Sequence, residues 1–156
     1  MITRLIANDA SCGAVLNLTS AFAQWCFGQA LGRADRNGEA LFRFDLALRL
    51  NPRGPMTWCY WALRASTLYQ LKRYEHTVLA SGKAIRIRLG HVWPLVIRAG
   101  ALGRLNREHE VSQIIVDLLR RRPGLTDADR SLGSLPATSA IMQRLALYKR
   151  RGSRRN

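Results

Sequence analysis

One stretch of the chain, Ala21–Pro52, restricts the fold more than any other feature of the sequence. Its apolar residues recur at helical spacing in two runs, which a polar break at Asp35–Gly38 separates. In the second run, the apolar face at i, i+4, i+7 and i+8 consists of Ala40, Phe44, Ala47 and Leu48. Asn51-Pro52 ends this run because the residue before a proline is pushed out of the α region. The stretch predicts an antiparallel helix pair, which cannot bury its apolar face without neighbours.

Two further copies of the pair follow along the chain. Ala84-Ile85 lies 37 residues after Ala47-Leu48, and Leu118-Leu119 lies another 34 residues on. A period near 34 residues, with a glycine on the first helix and Ala-x3-Phe on the second, is typical of the tetratricopeptide repeat. The matching residues of the first copy are Phe27-Gly28-x2-Leu31, Ala40-x3-Phe44 and Pro52. The chain therefore resembles a short tetratricopeptide array.

This resemblance implies an all-α fold, a short right-handed α-solenoid of about three helix-turn-helix pairs with a C-terminal capping helix. The predicted segments are a partial repeat or N-terminal segment at 1–17, the array at 18–136, the capping helix at 137–149 and a disordered basic tail at 150–156. The pairs are placed at about 21–52, 58–89 and 92–123. Their helices are predicted to end near Ala34 and to span about Asn37–Leu50, Met56–Leu71, Tyr74–Leu89 and Arg107–Arg121.

A series of short motifs gives a narrower likeness. The motifs are Ala47–Thr57, Lys72–Glu75, Leu102–Leu105 and Arg122–Thr126. Together they resemble the C-terminal repeat region of bacterial adenylate/guanylate cyclase-like and winged-helix regulatory proteins. In such proteins the repeat domain follows a catalytic or DNA-binding domain. The likeness implies a regulatory or scaffolding module, or an inactive remnant of a cyclase-like regulator that lacks its catalytic domain.

The net charge of +15 and the pI near 11.4 allow two interpretations. Basic residues can bind an anionic partner such as nucleic acid, or they can simply solvate the outer faces of helices. Scattering of the basic residues through every predicted helix favours the second interpretation. Two clusters keep the first one open, and their candidate polyanion contacts are Arg120, Arg121, Arg122, Arg150, Arg151, Arg154 and Arg155.

The cysteines and the hydropathy pattern favour the cytoplasm. Cys12, Cys26 and Cys59 form an odd set without Cys-x-x-Cys spacing, which argues against a disulfide framework and for a reducing compartment. Cys26 and Cys59 fall on apolar faces, so both are expected to be buried and inert. No apolar run approaches the ~18 residues of a membrane span, and the N-terminus lacks a signal-like apolar region. No membrane partner is expected.

The sequence contains no arrangement typical of catalysis. His76, His91 and His109 share no metal-ligand spacing with one another or with the cysteines. Gly28-x3-Gly32 and Gly100-x2-Gly103 lie inside helical patterns and not after a strand, which excludes the context of a phosphate-binding loop. The prediction is a non-catalytic chain without metal or cofactor.

The concave groove of such an array is the place to expect binding. Its candidate residues are Trp25, Gln29, Arg33, Ser66, Tyr69, Trp93 and Arg104. The resemblance would place a Lys and Asn clamp for a peptide carboxylate in this groove, but these residue types are absent from the clamp positions. An aromatic floor edged by arginine would suit an apolar or acidic peptide or helix. The alternative, that the aromatic residues serve only packing between repeats, stays open.

The middle pair departs most from the repeat pattern. Arg64 of this pair and Arg98 of the third pair stand where a large apolar residue is usual, and a charge buried there without a partner would cost several kcal/mol. Thr77 and Ser81 likewise replace apolar residues on the second helix of the middle pair. We therefore predict that this pair is the least stable of the three.

Three hypotheses of function follow. The first is a protein-interaction domain that binds a protein or peptide in its groove, and the second is a helical-repeat protein that binds nucleic acid through its arginine clusters. The third is the inactive regulatory remnant. End-to-end stacking of two chains would cover the open ends of a short array, so a homodimer is a further hypothesis.

Overall fold

The computed structural model describes residues 20–121. These residues form six α-helices: α1 (Ala21–Arg33), α2 (Asn37–Leu50), α3 (Thr57–Gln70), α4 (Tyr74–Ile87), α5 (Val92–Arg104) and α6 (Glu108–Arg121). The described residues contain no strand, so the predicted all-α class is confirmed. The helix ends agree with the predicted ones to within two residues. The N-terminal segment, the capping helix and the basic tail lie outside the described residues.

The same turn joins the two helices of every pair. One residue in each turn has a positive φ of 58–59°, and these residues are Asp35, Lys72 and Asn106. The amide that follows donates a hydrogen bond to the carbonyl five residues earlier, as Arg36 does to Leu31 at 2.9 Å. This is the hydrogen bond of a Schellman motif, which ends a helix through one residue in the left-handed region. The shared turn makes each pair antiparallel.

Lys72 is the turn residue least suited to its backbone conformation. A left-handed φ costs a residue with a Cβ about 1–2 kcal/mol, whereas glycine adopts it freely and asparagine tolerates it. We expect Lys72→Gly to raise the free energy of unfolding by about 1 kcal/mol. Asn106→Gly should raise it less. Urea unfolding followed by circular dichroism measures both changes, and a destabilised Lys72→Gly variant would contradict the prediction.

The first helices of the pairs form the inner layer of the array. Helix α3 packs directly against both α1 and α5, whereas the second helices α2, α4 and α6 make no comparable contacts with one another. Helices α2 and α4 instead pack against the first helix of their own pair and of the next, and α6 packs against α5. A stack whose first helices approach one another more closely curves toward them. The inner face of the array is therefore built from α1, α3 and α5.

A close approach between Gly28 and Phe44 holds the first pair together. The Phe44 ring is buried, and a Cβ built on Gly28 would lie 2.6 Å from its Cε1 atom. Phe44 packs in a cluster with Leu31 and Ala40. The glycine on α1 and the phenylalanine on α2 are thus two halves of one contact, which explains why this pair of residues marks the repeat.

The unusual polar residues of the middle pair, and Arg98 of the third pair, all have partners. The Arg64 Nε donates to Asp45 Oδ1 at 2.5 Å, and the Arg98 Nη1 donates to the Val78 carbonyl at 3.1 Å. Both arginines are half-buried and reach back to the second helix of the preceding pair. Burial lowers the pKa of Arg98. The hydroxyls of the buried Thr77 and Ser81 donate to carbonyls of their own helix.

Gly82 occupies the position at which a carboxylate could pair with Arg98, as Asp45 pairs with Arg64 in the preceding pairs. It lies 37 residues after Asp45, at the same position of the repeat, and a Cβ built there would lie 2.6 Å from the Arg98 Nη1 atom. A carboxylate at this position could therefore meet Arg98 as Asp45 meets Arg64. We expect Gly82→Asp to raise the free energy of unfolding by about 1 kcal/mol more than Gly82→Asn does.

The comparison of Asp with Asn isolates the charge, because the two side chains have nearly the same size and similar helix propensity. Thermal and urea unfolding of both variants measure the difference. Equal stabilities of the Asp and Asn variants would contradict the expected ion pair.

Candidate functional site

The predicted groove residues lie on the inner helices but differ in access to solvent. Arg33 and Arg104 are exposed at the C-terminal ends of α1 and α5. Trp25, Gln29 and Trp93 are half-buried, and Ser66 and Tyr69 on the central helix α3 are buried. The accessible part of the inner face therefore comes from α1 and α5, with α3 as its floor.

The two predicted tryptophans also contribute to packing. Trp25 packs against a buried cluster that contains Ala47 and Tyr60, and its ring lies 5.1 Å from that of the exposed Phe22. Trp93 packs against the cluster of Ala65, Leu68, Ala80 and Ile97. Both tryptophans thus support the core with one side and keep part of their surface accessible.

Tyr69 supports Arg104 at one end of the inner face. The Arg104 Nε donates to the Tyr69 hydroxyl at 3.5 Å, and this contact raises the pKa of Arg104. The Tyr69 ring in turn meets the Tyr74 ring edge-on, with 5.4 Å between their centres. Tyr69 is buried and packs against Tyr74, so its hydroxyl restricts the movement of the Arg104 guanidinium group. Tyr69 itself is not accessible on the inner face.

The inner helices carry positive charge only. No Asp or Glu occurs in α1, α3 or α5. Their arginines are Arg33, Arg64, Arg98 and Arg104. Because Arg64 and Arg98 turn back to α2 and α4, the charges at the inner face come from Arg33 and Arg104. Both lie at the same end of the array, so an acidic group is favoured there.

Each of the two described cysteines agrees with the prediction in part. Cys59 is a free, half-buried thiol. Burial raises its pKa to about 11, so the thiol is protonated and unreactive at neutral pH. Cys26 is buried, as predicted. It is disulfide-bonded, so the expectation that the cysteines are unpaired is wrong for this residue.

The predicted polyanion contacts are only partly described. Arg120 is exposed at the end of α6. Arg121 donates through Nε to Asp117 at 3.0 Å and through Nη1 to the Leu89 carbonyl. The remaining candidates, Arg122, Arg150, Arg151, Arg154 and Arg155, lie outside the described residues.

Basic side chains also lie over aromatic rings, which the sequence analysis did not foresee. Arg43 lies 4.3 Å from the centre of the Phe27 ring, and Lys83 lies 4.2 Å from that of Trp61. Arg88 lies 5.3 Å from the ring centre of Trp58. These contacts join different helices, so no spacing within one helix could have predicted them.

Metal-binding clusters and membrane-spanning helices are both absent from residues 20–121. No group of three His, Cys, Asp or Glu side chains there could hold a metal ion. No helix among residues 20–121 combines the length and apolar character needed to cross a membrane.

Solved structures of tetratricopeptide domains resemble this chain. The tetratricopeptide domain of Arabidopsis OM64 matches with a TM-score of 0.67 and 18% identity, covering 85% of this chain and 98% of that one. YrrB, described as a tetratricopeptide-repeat protein with an unusual peptide-binding site, matches with a TM-score of 0.64 and 17% identity, covering 96% and 84%. No protein-family model and no curated protein matches the sequence.

These likenesses concern the fold. Neither of these two structures is described as a cyclase-like or winged-helix regulator, so that narrower likeness stays a prediction. The helical-repeat architecture itself is confirmed, because a paired-helix array with shared turns and an inner layer of first helices matches both structures over most of their length. This chain has the fold of a tetratricopeptide-repeat domain.

Proposed function

We propose that this chain is a non-catalytic protein-interaction domain that binds a peptide or helix of another protein on its inner face. One observation carries the proposal: the inner helices offer accessible aromatic and cationic side chains and contain no acidic residue. A partner with apolar and acidic side chains would complement such a surface. The peptide-binding site named for YrrB, which has the same fold, supports this use of the architecture.

The inner face has a direction that such a partner would have to match. Phe22 and Trp25 lie in the N-terminal half of α1, whereas Arg33 lies at its C-terminal end. Helix α5 repeats the order, with Trp93 in its first turn and Arg104 in its last. Apolar side chains of a ligand would therefore contact one end of the face and its carboxylates the other. This arrangement predicts a preferred orientation of the bound peptide.

A peptide-display selection on the full chain tests the proposal. The enriched peptides should combine large apolar residues with Asp or Glu. Fluorescence anisotropy then gives the Kd of the best peptide for the wild type and for Arg104→Glu, which should bind at least tenfold more weakly. Arg73→Glu is the matched control, since it makes the same charge change at the same end of the array but at the N-cap of the second helix α4.

Two results would contradict the proposal. One is the absence of enriched peptides from a selection on folded protein. The other is an equal loss of affinity in both arginine variants, which would show that only the overall charge matters. Circular dichroism spectra of the variants confirm that the helices are retained.

The proposal includes a regulatory or scaffolding role and no enzymatic activity. A cytoplasmic location remains a prediction. The disulfide at Cys26 counts against it, because disulfides are rare in reducing compartments.

A further inference from the structure

The two ends of the array differ in charge and in exposed apolar side chains, and binding on the inner face does not explain this difference. We call the loop end the one where α2, α4 and α6 end and α1, α3 and α5 begin, with the connections 51–56 and 88–91. The turn end holds the three shared turns. At the loop end, the His91 ring stacks on the Trp58 ring with 4.0 Å between centres, and Arg121 of α6 donates to the Leu89 carbonyl. These contacts join the second pair to the third.

The loop end concentrates positive charge. Its exposed arginines are Arg49, Arg53, Arg86, Arg88, Arg120 and Arg121. The connections 51–56 and 88–91, the last turns of α2, α4 and α6 and the first turns of α1, α3 and α5 contain no Asp or Glu. The nearby Asp117 pairs with Arg121. At the turn end, by contrast, acidic residues accompany the basic ones, as in the ion pairs Arg36–Glu39 and Arg107–Glu110.

The loop end also concentrates exposed apolar side chains. Four of the six large apolar residues that are exposed in the described part of the chain lie there, each 40–63% exposed: Phe22, Leu50, Ile87 and Leu89. The other two, Phe42 and Leu79, lie eight residues before Leu50 and Ile87 on α2 and α4. No exposed large apolar residue of the described chain lies at the turn end. Arginine and apolar residues alternate in sequence here, as in Arg86-Ile87-Arg88-Leu89.

Helix dipoles account for only part of this pattern. A basic residue in the last turn of a helix is favourable, which explains Arg49 on α2, Arg86 on α4, and Arg120 and Arg121 on α6. It does not explain Arg53 and Arg88, which lie beyond the helices, nor the exposed aliphatic residues beside them. A nucleic acid would use the arginines but would gain little from Leu50, Ile87 and Leu89. A bilayer that contains anionic lipids uses both, because its headgroups attract arginine and its interface takes up apolar side chains.

We propose that the loop end is a binding surface for bilayers that contain anionic lipids. The chain would lie against the membrane with the loop end down, held by arginines at the headgroups and by Leu50, Ile87 and Leu89 at the acyl boundary. No helix crosses the bilayer in this arrangement. The inner face would remain open beside the membrane.

Vesicle flotation of the full chain tests this proposal. Vesicles of 30% phosphatidylserine in phosphatidylcholine should carry the protein at 0.1 M salt, whereas vesicles of pure phosphatidylcholine should not. The apolar variant Leu50→Ser/Ile87→Ser/Leu89→Ser should bind at least tenfold more weakly. The charge variant Arg49→Gln/Arg86→Gln/Arg88→Gln should bind about 100-fold more weakly, at about fivefold per arginine.

Each variant has a matched control on the same fold. Phe42→Ser/Leu79→Ser removes exposed apolar residues of α2 and α4 about 12 Å away from the loop end. Arg36→Gln/Arg73→Gln/Arg107→Gln removes three positive charges from the turn end, one per pair. Both controls should bind within about threefold of the wild type, and circular dichroism melts should show all four variants folded.

Three results would overturn the proposal. The first is no binding of the wild type to the anionic vesicles. The second is an equal loss in the loop-end variants and their controls. The third is that the apolar variant keeps its vesicle affinity while a labelled 20-nucleotide RNA binds the wild type and loses affinity only in the charge variant, which would identify a nucleic-acid surface instead.

Discussion

Replacing Phe44 by alanine is expected to lower the free energy of unfolding by about 3–5 kcal/mol. The ring is only 2% exposed and packs against Leu31 and Ala40 between the two helices of the first pair. Its removal leaves a cavity that the backbone of α1 can fill only by moving. Urea unfolding followed by circular dichroism measures the loss.

Phe42→Ala is the control for this prediction. It makes the same chemical change on the same helix, but Phe42 is 56% exposed. Its effect should stay within about 0.5 kcal/mol. Comparable losses in the two variants would contradict the assignment of Phe44 to the core.

Gly28→Ala is expected to lower the free energy of unfolding by about 1–3 kcal/mol. The new methyl group would lie 2.6–3.0 Å from three atoms of the Phe44 ring, which is buried and cannot swing away. Gly32→Ala on the same helix meets nothing within 4 Å and should instead raise the free energy of unfolding by about 1 kcal/mol through helix propensity. The two alanine variants should therefore change stability in opposite directions.

A double variant tests the cause of the Gly28→Ala effect. If the clash with Phe44 is responsible, Gly28→Ala should cost less in a Phe44→Leu background, because the smaller side chain leaves room for the methyl group. The coupling between the two sites is expected to be about 1 kcal/mol. Additive effects would contradict a direct contact.

The helices and their pairing could be predicted from the sequence because local signals determine them. The apolar stripe of α2 and the stop at Asn51-Pro52 are visible within a few residues. The period of 34–37 residues then places the later copies. The shared left-handed turns were not predicted, since Asp35, Lys72 and Asn106 have little in common as residue types.

Contacts between pairs could not be predicted because they depend on how the pairs stack. Arg64 was expected to place a costly charge in the core, but it donates a hydrogen bond to Asp45, 19 residues earlier on α2. Ser66 and Tyr69 were placed in the groove from the repeat pattern, and both are buried because α3 packs between α1 and α5. Tyr69 still acts on the groove through Arg104.

The loop-end surface could not be predicted from the sequence either, because it too depends on how the pairs stack. A membrane partner was not expected from the sequence, because no run of it could span a bilayer. The arginines and the apolar residues of this surface come from the ends of α2, α4 and α6 and from two connections, so they form one patch only after the pairs stack. A count of charges at the helix ends, and not along whole helices, is the signal that could have indicated it.

Hydrogen–deuterium exchange of the full chain, with and without the best selected peptide, tests the central claim most directly. Peptide binding on the inner face should slow exchange in Ala21–Arg33, Thr57–Gln70 and Val92–Arg104 and leave α2, α4 and α6 nearly unchanged. The strongest effect should fall on α1 and α5, which carry the accessible residues. Protection confined to the second helices would contradict the account, because it would place the ligand on the outer face of the array.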